Sequence, residues 1–272
     1  MSTRETAPAD GRLHDGELFR SADLVVRQVG GFSRDVLVVT FDSLTDAHDP
    51  HTGYGDLDRW GFGEYFLRDR GVDAIHVIGR DNNWYQYPEM PEAIAAIATV
   101  ARGYQRVISY GSSMGGYAAI RYGGAAGAAT ALALSPQFSL DPVVVPFEHR
   151  WNSLARQIDF TLERGWTPAF VATAFILYDP RTLDRRHMAL FAKRTHVVPV
   201  PMPNSGHSIA RFLADNGLLQ PTVLDVAHGA FNAPALRRAA RAALRGQSTH
   251  HFRLFDPARL IRFLRPRADP KP

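Results

Sequence analysis

Ser113 stands between two glycines, in Tyr110-Gly111-Ser112-Ser113-Met114-Gly115-Gly116-Tyr117. An apolar, β-branched run leads into this stretch and an Ala-rich segment follows it. Strand, tight turn and helix are the setting in which a serine hydroxyl is presented as a nucleophile. Glycines two before and two after the serine remove side chains that a turn this sharp would bring into collision. Ser112 lacks that symmetry, so it reads as the neighbour of the nucleophile. The helix starting beneath Ser113 would aim its N–H groups and positive dipole end at developing negative charge.

A serine hydroxyl is a weak nucleophile at neutral pH. It needs a base to take its proton and an acid to orient that base. In sheet-based serine enzymes the chain order is serine, acid, histidine, and functional groups gather at the carboxyl ends of the strands. His207 fits the base, because it follows a strand and Gly206 and opens a helix. His149, His187, His196, His228, His250 and His251 lie in less suitable contexts. Two acids compete. Asp179 ends its strand directly and is favoured on that ground, although Asp179-Pro180 also suits a structural turn. Asp184 comes five residues later and could equally cap the helix it opens. The oxyanion donors expected are the backbone N–H of Met114 and one at or next to Asp42, after the strand that ends at Phe41. Trp84 and Tyr85, in the aromatic loop Asn82–Pro88, are expected either to line the pocket or to pack as a loop core.

The elements that must hold these groups follow from the patterning. Short strands are expected at Asp23–Val29, Asp35–Phe41, Ala74–Ile78, Arg106–Tyr110, Thr130–Leu134, Phe170–Tyr178 and His196–Pro201. The two prolines of the last place it near a sheet edge. Helices are expected at Trp60–Arg70, after Pro91, after Ser113, at Asp184–Lys193 and at Ile209–Asn216, with more helix beyond Pro221. Residues 1–16 read as a flexible lead-in. The alternation argues for one doubly wound, mostly parallel sheet in a single domain spanning 1–272. Residues 138–167 interrupt the alternation and read as a small cap over the site.

At this point the chain resembles the α/β-hydrolase superfamily. The resemblance covers most of residues 35–217 and is carried by Gly111-Ser-Ser113-Met-Gly115-Gly116-Tyr, the Asp179/Asp184 region and Gly206-His207. It implies an α/β-hydrolase fold, acyl-transfer chemistry and no cofactor. Asn83-Trp-Tyr, Tyr110-Gly-Ser-Ser-Met-Gly-Gly-Tyr117 and Tyr178-Asp-Pro also resemble a bacterial subgroup associated with glycan and cell-surface modification. The chain departs from common esterases in having Thr40-Phe41-Asp42 where a His-Gly pair often stands, which bears on the second oxyanion donor.

Composition bounds the alternatives. The 272 residues contain no cysteine, which excludes a disulfide framework, cysteine–zinc sites and a thiol nucleophile. The polar N-terminus has no signal-peptide core, and no apolar run approaches the roughly eighteen residues of a membrane span. A soluble cytoplasmic protein is the default expectation. The net charge of +4 is concentrated late in the chain, from Arg237 to Arg267. Helical spacing of these arginines reads as a solvated face, so no nucleic-acid partner is expected. The expectation is a serine hydrolase, carboxylesterase-like, acting on a small-molecule or glycan-linked acyl substrate. An acyltransferase using a sugar hydroxyl, and a non-catalytic binding protein on the same fold, are the alternatives.

Overall fold

The apolar runs of the sequence form the centre of an eight-stranded sheet in the computed structural model, which describes residues 14–45 and 53–246. The strands are β1 (His14–Arg20), β2 (Leu24–Gly30), β3 (Val36–Phe41), β4 (Asp73–Gly79), β5 (Arg106–Ser112), β6 (Thr130–Leu134), β7 (Thr173–Tyr178) and β8 (His196–Pro201). Their spatial order is β1-β2-β4-β3-β5-β6-β7-β8. The β1–β2 and β2–β4 pairs are antiparallel and every other pair is parallel. β1 was not expected from the sequence, where its first three residues fall in the lead-in and the rest were assigned to no element. It is a largely polar edge strand, His-Asp-Gly-Glu-Leu-Phe-Arg, held by its ladder to β2 and by the partial burial of Leu18 and Phe19 against the core. β8 takes the opposite edge, where its prolines cost the sheet little.

The helices are α1 (Glu64–Asp69), α2 (Met90–Ala101), α3 (Met114–Gly123), α4 (Asn152–Ala155), α5 (Thr161–Gly165), α6 (Asp184–Phe191), α7 (Ile209–Asp215), α8 (Leu219–Ala227) and α9 (Ala233–Gly246). β3 shows how the sheet divides them. Successive side chains of a strand point to opposite faces, so Leu37, Val39 and Phe41 join the core under α2 and α3. Val36 and Val38 join the core under α1, α7, α8 and α9. Both faces are therefore covered, as expected of a parallel sheet whose strands are apolar throughout.

Residues 138–167 contain α4 and α5 within irregular backbone, and Phe160, Trp151, Leu154 and Ile158 pack on the α3 side of the sheet. Among the described residues no helix is long and apolar enough to cross a membrane. Of the late arginines, Arg237, Arg238, Arg241 and Arg245 lie on α9; those from Arg253 to Arg267 lie outside the described residues.

The parallel register brings the carboxyl ends of five strands to one edge. Phe41 pairs with Gly111, Ser112 with Leu134, Leu134 with Leu177, and Tyr178 with Pro201. The loops that follow therefore emerge together. They carry Asp42, Ser113, Ser135–Gln137, Asp179–Asp184 and Asn204–His207.

Candidate active site

Ser113 is the turn between β5 and α3, with φ 54° and ψ −116°. A residue other than glycine adopts that conformation at a cost of roughly 1–3 kcal/mol. Its amide donates to the Leu134 carbonyl at 2.8 Å, which ties the turn to β6. The flanking glycines are required by space. A Cβ at Gly111 would lie 2.3 Å from the Gly115 carbonyl group, and one at Gly115 would lie 2.2 Å from the Phe41 carbonyl oxygen. The second contact also seats the end of β3, and with it Asp42, against the start of α3.

The hydroxyl of Ser113 lies 3.1 Å from Nε2 of His207. Nδ1 of the same imidazole lies 3.0 and 3.1 Å from the two carboxylate oxygens of Asp184. Asp184 has no exposed side-chain surface and opens α6. Burial alone would raise its carboxyl, but the His207 ring and the Arg150 guanidinium, 2.8 Å away, hold it below the usual carboxylate value. Asp184 is therefore ionised and accepts the Nδ1 proton of His207; in the neutral ring this leaves Nε2 as an acceptor facing Ser113.

Asp179, the acid favoured from its place at the strand end, does not reach the imidazole. Its carboxylate accepts the N–H of Gly206 and the N–H of Arg181, both at 2.9 Å. The Asp-Pro turn points it across to the loop before His207, so it fixes the backbone that carries His207. The four residues between Asp179 and α6 bring Asp184 round to the ring instead.

Asp42 is buried at the end of β3. Its carboxylate accepts Arg59 Nη2 at 2.7 Å and the Phe62 amide at 3.0 Å, and its carbonyl accepts the Tyr85 hydroxyl at 2.9 Å. Burial pushes that carboxyl up, against the opposing pull of Arg59. Met114 is the first residue of α3, with its backbone at the helix N-terminus.

Trp84 and Tyr85 form the packed core of their loop, the second of the two expected outcomes. Both are fully buried and both have positive φ, 54° and 56°. Trp84 meets Trp151 of the 138–167 insertion at a ring-centroid distance of 6.4 Å, and Trp151 in turn stands 5.9 Å from the His207 ring. Trp151, not Trp84, is thus the tryptophan against the imidazole.

Two groups went unread in the sequence. Gln137, three residues past the end of β6, is completely buried. Its side chain lies 3.1 Å from the Ser113 hydroxyl and 2.9 Å from Nε2 of His207. Only its place beside a strand end could have singled it out. The second is the cluster behind Asp184. Arg150 is bound by both carboxylate oxygens of Glu148, with Nη2 at 2.6 Å. Glu148 also accepts His187 Nε2 at 2.8 Å, while His187 Nδ1 accepts the Phe138 amide at 3.1 Å. Burial would raise the Glu148 carboxyl, but His187 and Arg150 hold it well below the carboxylate range.

No family model and no curated protein matches the sequence. Solved structures do match the fold. ESTFA, in its "FE-lacking apo form", is 13% identical with a TM-score of 0.52, the match covering 85% of this chain and 87% of that one. Carboxyl esterase 2 from the mycorrhizal fungus Tuber melanosporum is 11% identical with a TM-score of 0.50, covering 87% and 89%. Strand order, the sharp turn at Ser113 and these superpositions agree that the chain has the α/β-hydrolase fold.

Proposed function

We propose that the protein is a serine hydrolase that cleaves an ester or related acyl substrate, with Ser113, His207 and Asp184 as its triad. The observation that carries the reading is the unbroken chain of contacts from the Ser113 hydroxyl through both nitrogens of His207 to the Asp184 carboxylate. In this mechanism Ser113 Oγ bonds to the acyl carbon while Nε2 takes the hydroxyl proton. The imidazolium returns that proton to the departing alkoxide, which leaves as an alcohol. Water then attacks the acyl-serine, again giving its proton to Nε2, which passes it to Ser113 Oγ as the bond from Oγ to the acyl carbon breaks and the acid is released. Asp184 holds the ring and stabilises its charged form. The N–H of Met114, with a backbone donor at or beside Asp42, would receive the oxyanion. Asp179 acts on the position of His207 through Gly206.

Transfer of the acyl group to a hydroxyl acceptor in place of water is the second reading. What favours it is burial: Ser113 is only 3% exposed, and Trp151 of the insertion stands over the imidazole. A covered acyl-serine excludes bulk water. We infer that residues 138–167 are the cap responsible. A binding protein without chemistry is disfavoured by the 3.1 Å contact between Ser113 and His207.

The test is labelling by a fluorophosphonate together with p-nitrophenyl acetate turnover. Wild type is expected to do both and Ser113→Ala neither. Equal labelling of the two proteins would remove Ser113 from the mechanism. Partition of the acyl group between water and an added sugar hydroxyl separates hydrolase from transferase.

A further inference from the structure

Three groups meet at the centre of the site, and only two of them belong to the triad. With Nδ1 of His207 donating to Asp184, Nε2 of the neutral ring, the form that can act as a base, has one lone pair and no proton. Two donors stand within reach of that lone pair: the Ser113 hydroxyl at 3.1 Å and the Gln137 side chain at 2.9 Å. The orientation of the Gln137 amide follows. Its NH₂ must face Nε2, since its oxygen there would set acceptor against acceptor. Its oxygen then faces the Ser113 hydroxyl, 3.1 Å away, and accepts that proton. A ring of contacts results. The amide N–H occupies the base, and the serine proton points at an amide oxygen that cannot take it up.

We propose that Gln137 is a brake on the general base: in the resting site it holds the lone pair of His207 and the proton of Ser113 apart from each other, and it releases them when an acyl substrate enters. This rests on the roles proposed above for Ser113 and His207. Gln137 is placed for the task by β6, whose end is tied to the nucleophile turn through the Ser113 amide and the Leu134 carbonyl. Its complete burial means that bulk water does not compete for its amide. The same amide stands where a hydrolytic water would have to approach Nε2. The brake therefore also bears on the second half of the reaction, slowing deacylation by water.

The experiment uses two variants of the full chain that keep the volume of the side chain. Gln137→Met has neither donor nor acceptor, so Ser113 and His207 bond directly. Fluorophosphonate labelling of Ser113 is expected to become roughly fivefold faster, the worth of one neutral hydrogen bond, and steady-state p-nitrophenyl acetate hydrolysis to rise with it. Gln137→Glu sets a carboxylate against Nε2 and keeps the ring protonated. Labelling is expected to slow at neutral pH and to recover as pH rises. Opposite signs from two residues of similar size cannot come from packing alone. Slower labelling in both variants, or a rate unchanged in both, overturns the brake while leaving Ser113 as nucleophile. Wild-type protein that fails to label at Ser113 overturns the serine mechanism itself, and the brake with it. Thermal melts of both variants accompany the rates, and a variant that does not fold is replaced by Gln137→Asn, whose shorter amide cannot span both partners and is expected to behave as Gln137→Met.

Discussion

At the residue scale, the two aspartates near His207 are the clearest case of position and role parting company. Both follow β7, and chain order admits either. Asp179 has the more direct place at the strand end, yet its carboxylate is turned to the Gly206 amide. Asp184 receives Nδ1 of His207 with both oxygens in reach. The two should therefore differ in kind when neutralised. Asp184→Asn removes the acceptor that fixes the ring tautomer, and kcat is expected to fall about 10³–10⁴-fold with KM little changed. Asp179→Asn keeps an oxygen for the Gly206 amide, and a loss of at most about tenfold is expected, the worth of one hydrogen bond. Steady-state kinetics of the two variants side by side check this, and a larger loss from Asp179→Asn would reverse the assignment. That Ser113 and His207 would meet could be expected from motif, spacing and chain order. Gln137 could not, because an amide carries no motif and becomes conspicuous only when the fold closes two reactive atoms around it.

At the element scale, strain is collected along one edge of the sheet. Trp84, Tyr85, Ser113, Ser135 and Asn204 are the non-glycine residues of positive φ among those described. They follow β4, β5, β6 and β8, all at the carboxyl ends. Strain gathered at one edge is a mark of a functional one, and no periodicity reports it. The strands themselves were legible because buried parallel strands are continuous apolar runs. β1 escaped because it is mostly polar, with only Leu18 and Phe19 partly packed on the core, and is held to the sheet by backbone pairing and by ion pairs such as Asp15 with Arg68. One buried pair within the sheet makes a testable difference to stability. Thr40 on β3 and His76 on β4 are register partners, with Oγ1 and Nδ1 2.6 Å apart. Burial drives the His76 imidazole down to about 4. The unfolded imidazole takes up a proton near its ordinary value of about 6.5, so between those two values the unfolded chain binds more protons than the folded one. Stability is thus lost as pH falls through that window, by about 2 kcal/mol between pH 7 and pH 5. Denaturant melts at the two pH values should show the loss in wild type and a smaller one in His76→Asn. Equal losses in both proteins would assign the acid sensitivity to other groups.

At the scale of the whole molecule, the insertion at 138–167 is joined to the site through charge. Arg150 spans from Glu148, in the insertion, to Asp184 on α6, and His187 on α6 closes the cluster by donating to Glu148. The carboxylates have almost no exposed surface, whereas Arg150 keeps 24%. Removing the shared cation leaves two buried carboxylates facing each other, an outcome that costs several kcal/mol where burial is complete. With Arg150 partly wetted, a cost of about 2 kcal/mol is more fitting, and the insertion can escape it by lifting away. Arg150→Met is therefore expected to raise tryptic cleavage after the exposed Arg156 by tenfold or more, while the sheet stays resistant. The same cluster bears on how the insertion responds to acid. Glu148 and Asp184 are both held below the ordinary carboxylate value. Their contribution is present above that value and disappears only as pH falls through the lowered ones. His187 in the same cluster is held below the ordinary imidazole value by burial, so an opened insertion takes up a proton that the closed one resists, and hydrogen exchange of residues 138–167 should show less protection at pH 5 than at pH 7 in wild type. If Arg150→Met leaves both cleavage and exchange unchanged, the insertion is held by its apolar contacts alone, and the burial of Ser113 does not depend on the link from Arg150 to Asp184.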